Sequence, residues 1–199
     1  DALLIIDNPN EAADIIRQGG VVVFPTRNLY GVGADACNLK AIERVFQIKR
    51  RPADKPVSIL IKSRKDLDSL VTEIPIVAHK LMDAFWPGRI TIVFNARPEV
   101  PSLLTAGTGK IGIRLPEHPV AVALVNMLDH PITATSANLS EQPPARTAAE
   151  VRACLGGAID LIVDGGTTPT SRCSTIIGER SGVLHLVRSG VVDIDPGAG

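Results

Sequence analysis

The octapeptide Lys49-Arg50-Arg51-Pro52-Ala53-Asp54-Lys55-Pro56 puts four cations within seven residues and closes on a second proline. Residues 40–65 carry nine Lys or Arg against Glu43 and Asp54, a local charge of +7. The whole chain is neutral, with 21 basic and 21 acidic residues, so a polyanion site has to be local. Arginine forks match phosphate or carboxylate oxygens and lysines add compact charge, while proline-fixed paths reduce the entropy lost when such side chains converge. Lys49, Arg51 and Lys55 are therefore expected to clamp an anion; the plain alternative is a solvated charge run.

Three further segments carry polar groups at strand ends. Pro25-Thr26-Arg27-Asn28-Leu29-Tyr30-Gly31-Val32-Gly33 reads as a loop after a strand, its Gly-x-Gly allowing close backbone approach or positive φ. Thr133-Ala134-Thr135-Ser136-Ala137-Asn138-Leu139-Ser140 breaks an apolar strand into neutral donors and acceptors. Ser171-Arg172-Cys173-Ser174-Thr175-Ile176-Ile177 is followed, one strand later, by Arg188-Ser189-Gly190, and Arg114 ends another strand. Each of these is equally readable as an ordinary turn or strand edge.

Several chemistries are not suggested. Position 36 is alanine, so the dinucleotide fingerprint is incomplete, and there is no Gly-Lys-Ser/Thr phosphate loop and no Gly-x-Ser-x-Gly elbow. The four histidines lack metal-ligand spacing, and Cys37, Cys154 and Cys173 suggest neither a zinc site nor a disulfide framework, which fits a reducing cytoplasm. Fixed cations and hydroxyls without a nucleophile-base pair suit electrostatic catalysis on phosphates, where positioning and charge neutralisation supply most of the rate.

The elements that must position these residues alternate between short β-branched runs and helical patterns, which argues for a single layered α/β or α+β domain. The patterns predict helices over 10–17, with Asn10 as cap, and over 40–49, 76–86, 120–128 and 148–155. Strands are predicted over 21–24, 57–61, 90–94, 111–114, 132–135, 161–163, 174–177 and 183–187. No apolar run approaches the ~20 residues of a membrane span, no signal-like segment is present, and residues 191–199 read as a flexible tail after a core of 10–190.

Taken in order, the motifs Pro25-Thr26 with Tyr30-Gly31, Lys49-x-Arg51-Pro52 with Lys55-Pro56, Trp86-Pro87-Gly88, Arg114-x-Pro116-x-His118-Pro119, Thr135-Ser136-Ala137-Asn138 and Ser174-Thr175-Ile176 resemble the YrdC-like family of threonylcarbamoyl-adenylate synthases. The resemblance runs over about 10–190 and is to the short, single-domain form. It implies a YrdC/RibB-like fold, a twisted mixed sheet flanked by helices around a basic concave cavity. It also implies a reaction in which L-threonine, bicarbonate or CO2, and ATP with Mg²⁺ give threonylcarbamoyl-AMP and pyrophosphate. A partner tRNA-modifying transferase then passes the group to tRNA.

On that resemblance Lys49, Arg51 and Lys55 neutralise the triphosphate, and Thr26, Tyr30 and Arg114 line the threonine end. Ser136, Asn138, Ser174 and Arg188 contact the nucleotide. Family members usually read Pro-Thr-Glu-Thr where this chain has Pro25-Thr26-Arg27-Asn28, and many place a histidine within 57–61, where this chain has none. The alternative is a non-catalytic, double-stranded RNA-binding or ribosome-associated relative that keeps the basic cavity. A carbamoyl-adenylate former of the hydrogenase-maturation type ranks behind both.

Overall fold

Residue alternation decides which face each strand buries, and the computed structural model, which describes residues 3–195, shows the result. In chain order the elements are β1 (Leu4–Ile6), α1 (Pro9–Arg17), β2 (Val22–Pro25), β3 (Tyr30–Gly33), α2 (Leu39–Lys49), β4 (Ile59–Leu60), α3 (Leu67–Leu70) and α4 (Ile76–Phe85). They continue as β5 (Ile90–Asn95), α5 (Ser102–Thr105), β6 (Lys110–Arg114), α6 (Pro119–Met127), β7 (Ile132–Thr133), β8 (Thr135–Ser136), α7 (Ala148–Leu155), β9 (Leu161–Val163), β10 (Thr175–Arg180) and β11 (Val183–Arg188).

The strands divide into two mixed sheets rather than one. The first has the order β1-β9-β2-β3-β8 and the second β11-β10-β5-β6-β4-β7. In the first, Val22, Phe24, Leu161 and Val163 bury one face against α1 and α6, while Val23, Val32 and Ile162 bury the other against α2 and α7. The second sheet buries Ile90, Ile92, Phe94, Ile111, Ile113 and Ile177 against α4 and its neighbours. Its opposite face is left free for a cavity, which is what the period of two requires when only one face is covered.

The segment predicted as one strand over 132–135 is two short strands in different sheets. Ile132–Thr133 pairs with β4, whereas Thr135–Ser136 pairs with β3. At the crossing, the Thr133 N–H donates to Ala34 O at 2.9 Å and the Ala134 N–H to Ser58 O at 2.9 Å. The strand expected over 57–61 shrinks to Ile59–Leu60 because Pro56 brings no N–H and the Val57 N–H turns to Leu104 O at 2.9 Å.

Tyr30–Gly33, expected as loop, is strand β3, fully buried and antiparallel to β2. Its glycines serve packing: a Cβ on Gly33 would lie 2.6 Å from Phe24 Cε1, so Gly33 leaves room for the buried ring. Helix α1 is capped by Asn8, whose Oδ1 accepts the Asn10 N–H at 2.8 Å, and not by Asn10, because Pro9 takes the first helical position. Asn38 caps α2 in the same way, accepting the Ala41 N–H at 3.1 Å.

The tail expected from residue 191 begins docked. The Val191 N–H donates to Cys173 O at 3.0 Å, and Val192 and Ile194 rest against the core, so apolar side chains and backbone bonds hold this stretch. Residues 196–199 lie outside the described residues.

Candidate active site

A cavity of about 600 Å³ opens on the free face of the second sheet, beside the point where the chain crosses between sheets. Its floor follows strand alternation: Lys110, Gly112 and Arg114 of β6, Val93 of β5, Ser174, Ile176, Gly178 and Arg180 along β10, and His185 and Val187 of β11. The opposite wall comes from Thr26 and Asn28 after β2, Tyr30 and Gly31 of β3, the loop residues Arg51, Lys55 and Pro56, and the crossing segment Ala134 to Ser136. Arg51, Lys55, Lys110, Arg114, Arg180 and Arg188 border it, against the carboxylate of Glu179.

The ten residues singled out in the sequence separate here. Thr26, Tyr30, Arg51, Lys55, Arg114, Ser136, Ser174 and Arg188 line the cavity, while Lys49 and Asn138 stand behind its wall. Lys49 is 1% exposed, and its Nζ donates to Asn138 O at 3.0 Å, to Asn138 Oδ1 at 2.9 Å and to Ser136 O. Asn138 is equally committed, accepting from Ser136 Oγ at 2.7 Å and donating Nδ2 to Gln142 O at 2.7 Å. An ammonium has three donors, and all three are used by one turn. Burial, and next the like charge of Arg51, lower the Lys49 pKa to about 7, against the preference of its oxygen partners for the cation.

Arg114 is the opposite case. It is 8% exposed, yet its guanidinium has no hydrogen-bond or ion-pair partner among the described residues. Burial and then the charge of Arg188 lower its pKa to about 10, with Glu117 opposing, so it remains a cation at neutral pH. A buried, open guanidinium beside a cavity is an anion receptor in search of two oxygens.

The remaining groups are shaped by local bonds. Thr26 Oγ1 donates to Leu29 O at 2.6 Å and accepts the Asn28 and Leu29 N–H groups at 3.1 Å each, so this hydroxyl folds its own loop. Tyr30 borders the cavity but is fully buried, its side chain packed in the core and its hydroxyl donating to Gly166 O at 2.7 Å and accepting the Gly165 N–H at 3.0 Å. Burial raises the Tyr30 pKa, the Gly165 N–H opposes this, and Asp164 adds to it. Arg51 donates Nη2 to Pro56 O at 2.6 Å, which fixes the proline-bracketed loop, and Lys55 Nζ lies 3.6 Å from Glu141 Oε1. Arg188 Nη2 reaches Ser174 O at 2.8 Å, and Ser174 Oγ shares a 2.8 Å hydrogen bond with Thr91 Oγ1.

Sequence reasoning missed Lys110, Arg180, His185 and Asn28. The alternation of β6 and β10 marks the first two, because they share a face with Arg114 and Ser174. Asn28 is buried at the cavity wall with its Oδ1 unpartnered. His118, one of the recurrent motif residues, caps α6 by accepting the Val120 N–H on Nδ1 at 3.1 Å. Among the described residues no group of three His, Cys, Asp or Glu is placed to hold a metal ion, and the Glu179 Oε1 accepts the Gly182 N–H.

The family model described as "Telomere recombination", covering Sua5, YciO and YrdC, matches residues 14–190. The threonylcarbamoyl-AMP synthase of Pyrococcus abyssi is 39% identical over 184 residues, 92% of this chain and 54% of that protein. The crystal structure of P. abyssi Sua5 complexed with L-threonine superposes with a TM-score of 0.90 at 36% identity, covering 96% of this chain and 58% of the other. E. coli YciO superposes with a TM-score of 0.86 at 29% identity, covering 98% and 97%. The chain thus spans about half the length of the synthases of P. abyssi and Bacillus subtilis that it matches.

Proposed function

Because the chain belongs to the Sua5, YciO and YrdC family, we propose that its described residues act as one catalytic domain making threonylcarbamoyl-AMP and pyrophosphate from L-threonine, bicarbonate or CO2, and Mg-ATP. The observation that carries the reading is Arg114, a buried guanidinium open to a cavity whose lining also includes the cations Arg51, Lys55 and Arg188 and the hydroxyl residues Ser136 and Ser174. It is placed to take the threonine carboxylate with a pair of parallel hydrogen bonds. The P. abyssi relative is complexed with L-threonine, which supports threonine as a ligand of this domain.

The threonine amine loses a proton on adding CO2, and a carbamate oxygen then attacks the α-phosphorus. The bond from that phosphorus to the bridging oxygen breaks, and its electron pair leaves with pyrophosphate. No protein nucleophile is needed, so the chain's contribution is positioning and charge. Arg51 and Lys55 neutralise the phosphate chain from the loop side. Ser174, held by Thr91 and Arg188, and Ser136, held by Asn138, supply neutral donors at the nucleotide. Lys49 and Asn138 act from behind the wall by fixing the turn that presents Ser136. Mg²⁺ enters with the nucleotide as part of the substrate, since magnesium typically keeps waters and phosphate oxygens rather than a dedicated protein cage.

In this reading the product passes, in the cytoplasm, to a transferase that modifies tRNA; no helix among the described residues is long and apolar enough to cross a membrane. The test is pyrophosphate release from Mg-ATP with L-threonine and bicarbonate, each omitted in turn, with mass-spectrometric detection of the adduct. Release that needs all three, with adduct formed, is the expected result. Intact protein that forms no adduct and binds double-stranded RNA in a salt-sensitive way would sink the synthase reading in favour of the RNA-binding one.

A further inference from the structure

The chemistry proposed above uses no protein nucleophile, yet the cavity contains one. Cys173 stands just before Ser174 in the approach to β10, is partly exposed and lines the cavity. Its backbone is held from behind: Cys173 O accepts the Val191 N–H at 3.0 Å, and a Cβ on Gly190 would lie 2.5 Å from that oxygen. Its sulfur has no hydrogen bond among the described residues, which leaves the thiol open to a reagent in the cavity.

Cations surround that sulfur. Lys49, Arg51 and Arg114 are each near enough to feel the charge that a thiolate at Cys173 carries, and Arg188 acts in turn on Arg51 and Arg114, with Glu117 opposing at Arg114. Arg188 also donates to the carbonyl of the adjoining Ser174 at 2.8 Å. Arg114 is 8% exposed, has no partner among the described residues and lines the same cavity, so an anionic group drawn to it comes to rest near Cys173. The other two cysteines are set differently. Cys37 is exposed beside Asp35, whose Oδ1 accepts its N–H at 2.7 Å, and Cys154 is exposed one helical turn after Glu150, feeling that carboxylate as well as Lys49.

We propose that Cys173 is a thiol-modification site for low-molecular-weight disulfides that carry carboxylates, with Arg114 holding a carboxylate while the sulfur reacts. The thiol releases its proton to solvent, and the thiolate attacks one sulfur of the disulfide. The reagent's S–S bond breaks, its electron pair leaves with the second sulfur, and that thiolate takes up a proton. Cys173 is thereby oxidised to a mixed disulfide, and the leaving half is reduced to a free thiol. A later thiol reverses the exchange by the same route. A cavity of about 600 Å³ admits a molecule of this size, and the attached half occupies the space before Arg114. Thiolation is then a reversible block on the cavity; its effect on turnover rests on the synthase reading, whereas the modification itself does not.

The experiment treats the intact chain with glutathione disulfide, which is anionic, or with cystamine, a cationic disulfide, and follows Cys37, Cys154 and Cys173 by peptide mass mapping over time. The ratio of the two rates at each cysteine separates reagent charge from exposure. That ratio should be about tenfold higher at Cys173 than at the other two, and should collapse in roughly 1 M salt and in Arg114→Ala. The salt series decides the matter where the variant does not fold. Equal ratios at the three cysteines, or a Cys173 ratio indifferent to salt and to Arg114→Ala, overturn the site. With L-threonine, bicarbonate and Mg-ATP, the thiolated chain should lose most of its adduct formation and regain it with dithiothreitol, while Cys173→Ser should not respond to glutathione disulfide. Undiminished adduct formation by fully thiolated protein overturns the block. If the reduced chain forms no adduct but the Cys173 ratio holds, the thiol site stands and the synthase reading fails.

Discussion

Two buried cations stand within this molecule in opposite conditions. Lys49 has every donor satisfied by the turn around Ser136 and Asn138, whereas Arg114 has none satisfied among the described residues. Burial lowers the pKa of both, so desolvation does not tell them apart; partners do. A buried charge with a full set of partners is spent on structure, and one left open is held for a ligand.

The sharpest way to break that contrast is Arg114→Ala. It should reduce kcat/KM for L-threonine on the order of a hundredfold to a thousandfold, as losing one preorganised receptor does, with a melting temperature unchanged or raised because an uncompensated buried charge is removed. A large fall in stability with near-normal kinetics would mean that Arg114 is structural. Lys49→Met should do the reverse in emphasis, destabilising the fold by about 3 kcal/mol in urea denaturation because three oxygens lose their donor. If it retains stability and loses only ATP binding, Lys49 belongs in the cavity after all.

The same contrast has a pH signature. The Lys49 pKa is about 7 in the folded chain and near the ordinary lysine value when unfolded. Between those values the unfolded state binds more protons, so this group adds stability as pH rises from about 7 toward 10. Urea unfolding across that range should show a positive slope from this group that Lys49→Met lacks; equal slopes would show that its partners hold the lysine protonated throughout. The smallest expected effect is Tyr30→Phe, about 1 kcal/mol of stability from two lost hydrogen bonds, with kinetics within a few-fold because the hydroxyl is committed to the backbone of Gly165 and Gly166. A hundredfold kinetic loss on removing that one oxygen would place the hydroxyl in the chemistry.

How much of this was legible in the sequence follows from separation along the chain. Helices such as Ala148–Leu155, with its Thr147 cap, obey local rules and were readable nearly to the residue. Tyr30–Gly33 was misread because glycine signals a turn, while its reason here is the Phe24 ring, a neighbour known only once β2 and β3 pair. The motifs brought together eight residues of the cavity wall, yet Lys49 and Arg114 looked alike as cations. What separates them is contact with Asn138, 89 positions beyond Lys49, and no local pattern reports that. Lys110 and Arg180 border one cavity only because β6 and β10 both pair with β5, a contact between segments far apart in the chain.

The crossing at Ala134 sets a mechanical limit on the cavity. One residue on either side of it is bonded to a different sheet, and Ala134 itself donates to Ser58. Thr133 also bonds across to the first sheet, its N–H donating to Ala34 O at 2.9 Å and its hydroxyl to Val32 O at 3.0 Å, so the sheets cannot swing apart like the covers of a book without breaking these bonds. The aperture beside that crossing is fixed, and reagents must come and go over the free rim, where the β10–β11 hairpin ends.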